Sequence, residues 1–539
     1  MSPVKRSFVL MLMFTMACAH VVSCEDSRSD AQVVIGGRPP VDYQGNVTRI
    51  LEDNVHSIKQ NSTLKLNESD FRYVHMYGYA RLFEQLNLHG YSHDRLVSGK
   101  LSTKLLSQYD VLFLNLMDES LPSFTPDEIE AVRQFVHNGG GLFVIADHTN
   151  VYKHAEMTNP LLEPYGISIR YEICVDVAPH TVSGLGWILV TDLRDHPVNA
   201  DVVEYSLQTG GPLDGPGGIG YTSPSGWGDK WNPEMKDGYY GNWTKDPDEV
   251  SGPQSVVQAV EYGLGRVVVV GDQNIFGDPY IHFLDDRTLA LNAFEWLAHR
   301  EGEKLRNQPL VGLNIHIDTA ADNLSCGKSG LPDHYTFYTN LNRVAAVSAL
   351  ATRNTLPWTP DVIMWLEPTR TVEESMLEEA ENVLISGGQV VIIVHPGQLS
   401  ASSTQLLKHF GVANHYEDTA GNPLDLTTAA VTQNVSHVTL HQKLRSREIQ
   451  LDSCPAITCP EHEVWTATDA NGVSCDVLCE FPKLNGRVLV SFAGAFYRRS
   501  ALGDVHDVPK NASEMAYLLE LGLTDVLLEY GIPQRYNNQ

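Results

Sequence analysis

Positive charge is scarce in this sequence. Its 539 residues hold 38 lysines and arginines against 66 aspartates and glutamates, a formal net charge of −28. Tracking a phosphate backbone takes clustered cations, so no nucleic-acid partner is expected. Long apolar runs are scarce too. Beyond the N-terminus no stretch nears the roughly 18 consecutive apolar residues of a membrane span, so no transmembrane helix is expected there. The composition is neither disordered nor collagen-like: apolar residues make up 42% and charged residues 19%, with 42 glycines and 28 prolines. At about 150 residues per domain, the length implies two or more domains.

The N-terminus reads as an export signal. Lys5 and Arg6 precede an apolar run over 7–17, and Ala17-Cys18-Ala19 has the small residues of a cleavage site. Val21-Val22-Ser23-Cys24 resembles a bacterial lipobox. Two outcomes fit: Cys24 is acylated as the first residue of a lipoprotein, or cleavage is ordinary and Cys24 belongs to the mature start. Residues 1–23 are thus a signal peptide, and 24–45 read as an unstructured tether. The expected location is extracytoplasmic, secreted or lipid-anchored, with the membrane reached only through that anchor. Cys454, Cys459, Cys475 and Cys479 are spaced C-x4-C-x15-C-x3-C. The spacing admits a zinc ribbon, but an oxidising compartment favours two local disulfides. Cys174 and Cys326 either pair or are buried thiols. N-x-S/T sequons stand at Asn46, Asn61, Asn67, Asn242, Asn323, Asn434 and Asn511.

The chain repeats itself. Residues 109–118 and 361–367 hold short apolar runs opened by Asp110 and Asp361, as in a buried parallel strand. A helix is expected after each. Thr125, Pro126 and Glu128 make a capping box in the first, and Thr371 and Glu374 the same box in the second. Both helices stop at glycines, Gly139-Gly140-Gly141 and Gly387-Gly388. Buried strands follow at 142–146 and 390–394. Later come Gly-Arg-Val at 265–267 and 486–488, and closing helices at 285–298 and 511–521. The first copy is longer by about 27 residues, assigned to an insertion at 210–250. Alternating strands and helices imply α/β architecture: two tandem doubly wound parallel-sheet domains, flavodoxin- or amidotransferase-like, over 46–298 and 308–539. The Cys-rich segment 454–479 belongs to the second.

Strand, helix, glycines, strand, then Gly263-Leu264-Gly265-Arg266-Val267 leading to Gly271-Asp272 resembles the class I glutamine amidotransferase-like fold. Within it, the chain looks most like the non-catalytic branch of gliding-motility and ABC-transporter auxiliary proteins and uncharacterised exported proteins. Catalytic relatives place a nucleophilic Cys on the turn after the glycines. The matching positions here are Ala146 and Val394, followed by Asp147-His148 and His395-Pro396. The family's triad cannot be carried over, and amidotransferase chemistry is not expected.

In an open parallel sheet, ligands bind beyond the carboxyl ends of the strands. The first copy gathers Asn115 and Asp118, then Asp147, His148, Thr149 and Asn150, then Asp272, Gln273 and Asn274 there. The second offers Glu367 and His395. Two readings stand for the first set. Either these residues cap the next helix and His148 is a turn histidine, or they line a pocket in which Asp147, His148 and Asp272 hold a divalent metal. The insertion carries Trp227, Trp231 and Trp243 beside Tyr221, Tyr239 and Tyr240. Such rings either stack on a glycan or pack on themselves. The expected function is a non-catalytic binding or scaffolding protein with a glycan or protein ligand and no cofactor, any ligand specificity being carried by the insertion. The alternative is a metal-assisted hydrolase using Asp147, His148 and Asp272.

Overall fold

The computed structural model describes residues 21–22, 31–41, 43–57, 78–235, 238–278, 280–301, 314–318, 321, 334–344, 346–348, 359–394, 400–412, 435–439, 449–451, 463–469, 474–491 and 494–498. They form a mixed α/β structure around two large sheets. In the ten-stranded sheet the centre is parallel, in the order Tyr91–Ser98, Thr48–Asp53, Val111–Leu114, Gly141–Ile145, Gly265–Val270. Ser255–Tyr262, Gly218–Tyr221 and Asp192–Leu193 extend it antiparallel on one side. Gln32–Gly37 and Val21–Val22 do so on the other. The nine-stranded sheet has a parallel centre of Ala346–Ser348, Asn314–Ile317, Val362–Leu366, Gln389–Ile393 and Gly486–Ser491. Ser474–Lys483 and Glu463–Asp469 then follow antiparallel.

The central strands are short runs of aliphatic residues buried on both faces, as helix-covered parallel strands require. One face of the first sheet packs Phe113, Phe143 and Val268 against Phe294 and Leu297 of the helix Asp286–Leu297. The other packs Leu112, Val144 and Val269 against Val132 and Val136 of the helix Pro126–His137. Glu128 closes that helix's N-terminus by accepting from the Thr125 N–H (2.9 Å) and hydroxyl (2.8 Å). Asp110 orders the strand starts: its carboxylate accepts from the Arg49 N–H at 2.7 Å, and its carbonyl from the Gly141 N–H at 2.9 Å. Asp361 does the same for Asn314 (3.0 Å) and Gln389 (2.9 Å).

Three expectations are corrected. The 24–45 tether contains a strand, because Gln32–Gly37 pairs with Tyr91–Ser98 and Arg38 bonds Asp94 at 2.6 Å. The second capping box does not form. The helix is Glu374–Ile385 with Glu373 at its N-cap, because the preceding Val372 backbone is bound through both its N–H and its carbonyl by the Gln405 amide. Residues 210–250 are not one loop. Gly218–Tyr221 is a strand of the main sheet, Leu213–Asp214 pairs with Ser168–Ile169, and Trp227–Lys230 pairs with Glu172–Val175. Most of the signal peptide, with Cys24, Cys326, Cys454, Cys459 and the 511–521 helix, lies outside the described residues. So do His395 and the sequons other than Asn46 and Asn242, both of which are exposed. Cys475 and Cys479 lie on the strand Ser474–Lys483.

Candidate functional site

The strands Gly141–Ile145 and Gly265–Val270 run side by side in register, and Ala146 extends the pairing through its N–H to the Val270 carbonyl at 2.8 Å. Asp147 and Asp272 follow at the ends of these two strands, and both are fully buried. Asp272 accepts from the Gln208 and Asn274 N–H groups, each at 2.6 Å. Asp147 accepts from the His148 N–H at 2.7 Å through Oδ1, while its Oδ2 makes no hydrogen bond. Burial pushes Asp272 up to about 7. Burial, and then the Asp272 charge, push Asp147 well above the usual carboxylate range. Tyr79 closes the floor, its hydroxyl donating to the Gln273 carbonyl at 2.6 Å.

His148 stacks on Tyr240, with centroids 4.7 Å apart and planes at 18°. Its Nδ1 lies 3.0 Å from the Thr149 hydroxyl, which in turn donates to the Tyr239 carbonyl. Burial holds the ring neutral and lowers its pKa to about 3. His154 is a structural clasp: Nδ1 sits 2.8 Å from the Val151 carbonyl, and Nε2 sits 3.1 Å from the Asp147 N–H nitrogen. Asn150 accepts from the Glu156 N–H at 3.2 Å and so braces the helix His154–Leu162. Asp118 closes a turn by accepting from the Ser120 N–H at 2.9 Å and hydroxyl at 2.7 Å. Asn115 donates to Glu52 at 3.0 Å, and Asn274 to the Gln208 carbonyl at 3.0 Å.

The site therefore brings Asp147, His148 and Asp272 together without making them a ligand set. The His148 Nε2 is 3.9 Å from the Asp147 Oδ1, and both Asp272 oxygens are taken by backbone N–H groups. Among the described residues, no group of three or more His, Cys, Asp or Glu is placed to hold a metal ion. The divalent-metal assignment does not fit this geometry.

The 210–250 segment folds over the site, but its tryptophans are occupied. Trp227 is buried with Ile173 and Val175, and Tyr240 and Trp243 pack against that cluster. The Trp231 indole donates to the Gly238 carbonyl at 2.9 Å. Asp229 accepts from the Asn242 (3.2 Å) and Trp243 (2.8 Å) N–H groups. The cover over His148 comes from Tyr239 and Tyr240 instead. At the nucleophile positions, Ala146 and Val394 are fully buried. Cys174 is a free thiol and is also buried, and burial pushes it well up. A groove of about 560 Å³, lined by Tyr109, Phe135, Asn138 and His299, lies at the opposite end of the sheet.

Sequence reasoning missed two clusters. His56 Nδ1 lies 2.6 Å from Asp53, and its Nε2 3.5 Å from Glu128. At the second sheet, Glu367 meets Arg498 and His334. The only signal was positional: Asp53 ends a central strand and Glu367 follows one.

No family model matches the chain, and no curated protein matches it. Solved structures that it is similar to include the mmIFT52 N-terminal domain, at 16% identity over 46% of this chain and 97% of that one, with a TM-score of 0.35. A ThuA-like protein from Bacteroides uniformis matches at 16% identity over 49% of this chain and 97% of that one, with a TM-score of 0.29. One from Parabacteroides merdae matches at 15% over 47% and 90%, with a TM-score of 0.27.

Proposed function

We propose that this chain is a non-catalytic binding or scaffolding protein that works outside the cytoplasm, built from two tandem units of amidotransferase-like topology. The two sheets support the tandem reading: five parallel strands followed by antiparallel ones recur in the same order, with the Asp110 and Asp361 bonds in equivalent places. The observation that carries the non-catalytic reading is the nucleophile turn, where Ala146 and Val394 stand buried in both sheets. Covalent amide chemistry needs an exposed thiolate beside oxyanion donors, and neither position offers one. The ligand is a glycan or a protein surface. The metal-hydrolase alternative lacks this support, because the Asp272 oxygens already serve the backbone.

Two measurements test the proposal. Purified full-length protein is expected to release no ammonia from glutamine, and turnover above the no-protein control refutes the non-catalytic reading. A glycan and peptide array on the same protein is expected to show binding. An array with no ligand, together with a cytosolic, uncleaved chain by N-terminal mass spectrometry, refutes the extracytoplasmic binding reading.

A further inference from the structure

We propose that the second sheet carries its own ligand site, formed by Glu367, His334 and Arg498, and that it takes a small neutral polyhydroxylated molecule of the monosaccharide class. The proposal rests on the binding reading above and narrows its ligand. Glu367 stands directly after the strand Val362–Leu366, at the carboxyl edge where this architecture binds ligands. Its backbone is left-handed, with φ at +48°, a strained state for a non-glycine residue. Such strain persists where the surroundings impose it, and it clusters at functional sites. The surroundings are visible: the Glu367 N–H bonds the Ile393 carbonyl at 2.7 Å, and Arg498 holds the carboxylate through Nε at 2.6 Å and Nη2 at 2.5 Å.

His334 precedes the helix Tyr335–Val344 and is fully buried, and neither ring nitrogen has a hydrogen-bond partner. Its Nε2 lies 3.8 Å from the Glu367 Oε2, beyond hydrogen-bond reach. A buried polar atom left unsatisfied costs about 1–3 kcal/mol, so it calls for an explanation. The first sheet supplies an internal control. Strand register makes Leu116 the counterpart of Glu367, since Val111 and Val362 occupy equivalent rungs. Tyr79 precedes the corresponding helix Ala80–Leu88 and spends its hydroxyl on Gln273. The first unit fills this corner with an apolar residue and a satisfied phenol, whereas the second holds a carboxylate gripped by Arg498 and an imidazole whose two ring nitrogens have no hydrogen-bond partner.

The chemistry selects the ligand. Carboxylate and guanidinium cancel, and burial keeps the imidazole neutral, with its pKa lowered to about 3. An ion therefore gains little here. A neutral imidazole offers one donor and one acceptor, and the carboxylate offers acceptors. Adjacent hydroxyls, each able to donate and accept, match that set. Phe337 and Tyr497, with centroids 5.0 Å apart, come from the segments that bring in His334 and Arg498 and give an apolar flank. Arg498 lies nearest solvent, its side chain 28% exposed against 2% for Glu367.

The test uses the full chain and a panel of aldohexoses and pentoses at about 10 mM, the range of weak sugar affinities. Calorimetry measures affinity, and proton–nitrogen correlation spectra follow the histidine rings. At least one sugar is expected to bind and to shift the His334 ring resonances, assigned by their loss in His334→Phe. Glu367→Gln is expected to weaken that sugar about tenfold. Leu264→Ala, an exposed position beside the first sheet, is expected to leave affinity unchanged. Circular dichroism checks that each variant folds, and Arg498→Lys, which keeps the charge but not the two-nitrogen grip, gives a second folded variant expected to weaken binding. Two results overturn the proposal: no sugar of the panel binds, or one binds with wild-type affinity to folded Glu367→Gln without moving the His334 signals. Either leaves the wider binding reading to the array.

Discussion

Asp147 and Asp272 end neighbouring parallel strands, and their titration sets how this corner answers pH. A carboxyl whose folded pKa lies above its unfolded value, about 4, keeps its proton more tightly in the folded state. That stabilisation is complete below pH 4 and is lost as pH rises through about 7, the value to which burial raises Asp272. Asp147→Asn removes one of the two charges and keeps the Oδ1 that accepts from His148. The variant is expected to melt higher than wild type at pH 8, by an amount equivalent to about 1–3 kcal/mol, and to match it at pH 5, as read by calorimetric melting curves. His148 acts in the opposite direction. Its folded pKa is depressed to about 3, so folding is undisturbed above the unfolded value near 6.5 and weakens as pH falls below it. His148→Phe keeps a ring for the Tyr240 stack and is expected to reduce the loss of melting temperature between pH 6.5 and 4.5.

At the scale of elements, the helix–strand junctions are tight because glycines stand where backbones meet. A Cβ on Gly265 would lie 2.1 Å from the Val136 carbonyl oxygen, and one on Gly486 would lie 2.1 Å from that of Gly388. Neither contact is with a flexible side chain, so the strand has to move. Gly265→Ala and Gly486→Ala are each expected to cost roughly 1–3 kcal/mol in urea unfolding, comparable to overpacking a core. These elements were legible in the sequence because their signals are local: an Asp opening an aliphatic run, a capping box at Thr125 and Glu128, glycines at the stop. The misreadings share a cause in long-range partners. Gln32–Gly37 becomes a strand through Tyr91–Ser98, and Gln405 displaces the box expected at Thr371. The candidate site was half legible for the same reason. Asp147 and Asp272 follow strands that periodicity finds. His334 and Arg498 lie outside any periodic run, and only the folded chain brings them to Glu367.

Across the whole molecule, the helix Tyr335–Val344 ties the second sheet's segments to the first. Tyr335 and Tyr338 pack on Phe283, the Tyr338 hydroxyl accepts from the Leu284 N–H at 2.9 Å, and the Asn342 amide donates to the His282 carbonyl at 2.6 Å. Asn342→Leu leaves the His282 and Leu284 carbonyls without this donor and is expected to cost about 2–4 kcal/mol, read by calorimetry as a lower melting temperature. Elsewhere the chain writes the same strand opening twice, Gly-Arg-Val at Gly265 and again at Gly486, each in parallel register with the strand that follows a helix and its glycines. A nascent chain with two such strands faces a choice of partner, because Gly486–Ser491 could zip onto Gly141–Ile145 before its own neighbour is ready. Cross-pairing of this kind is the characteristic misassembly of repeated units. The differences between the copies then acquire a second use. Each strand opening is followed by a different sequence, Val-Val-Val in one and Leu-Val-Ser in the other, and is preceded by a connector of different length, so a swapped strand would arrive with the wrong side chains and the wrong reach. On the proposed tandem reading, divergence between the two sheets' sequences is expected to disfavour such cross-pairing during synthesis.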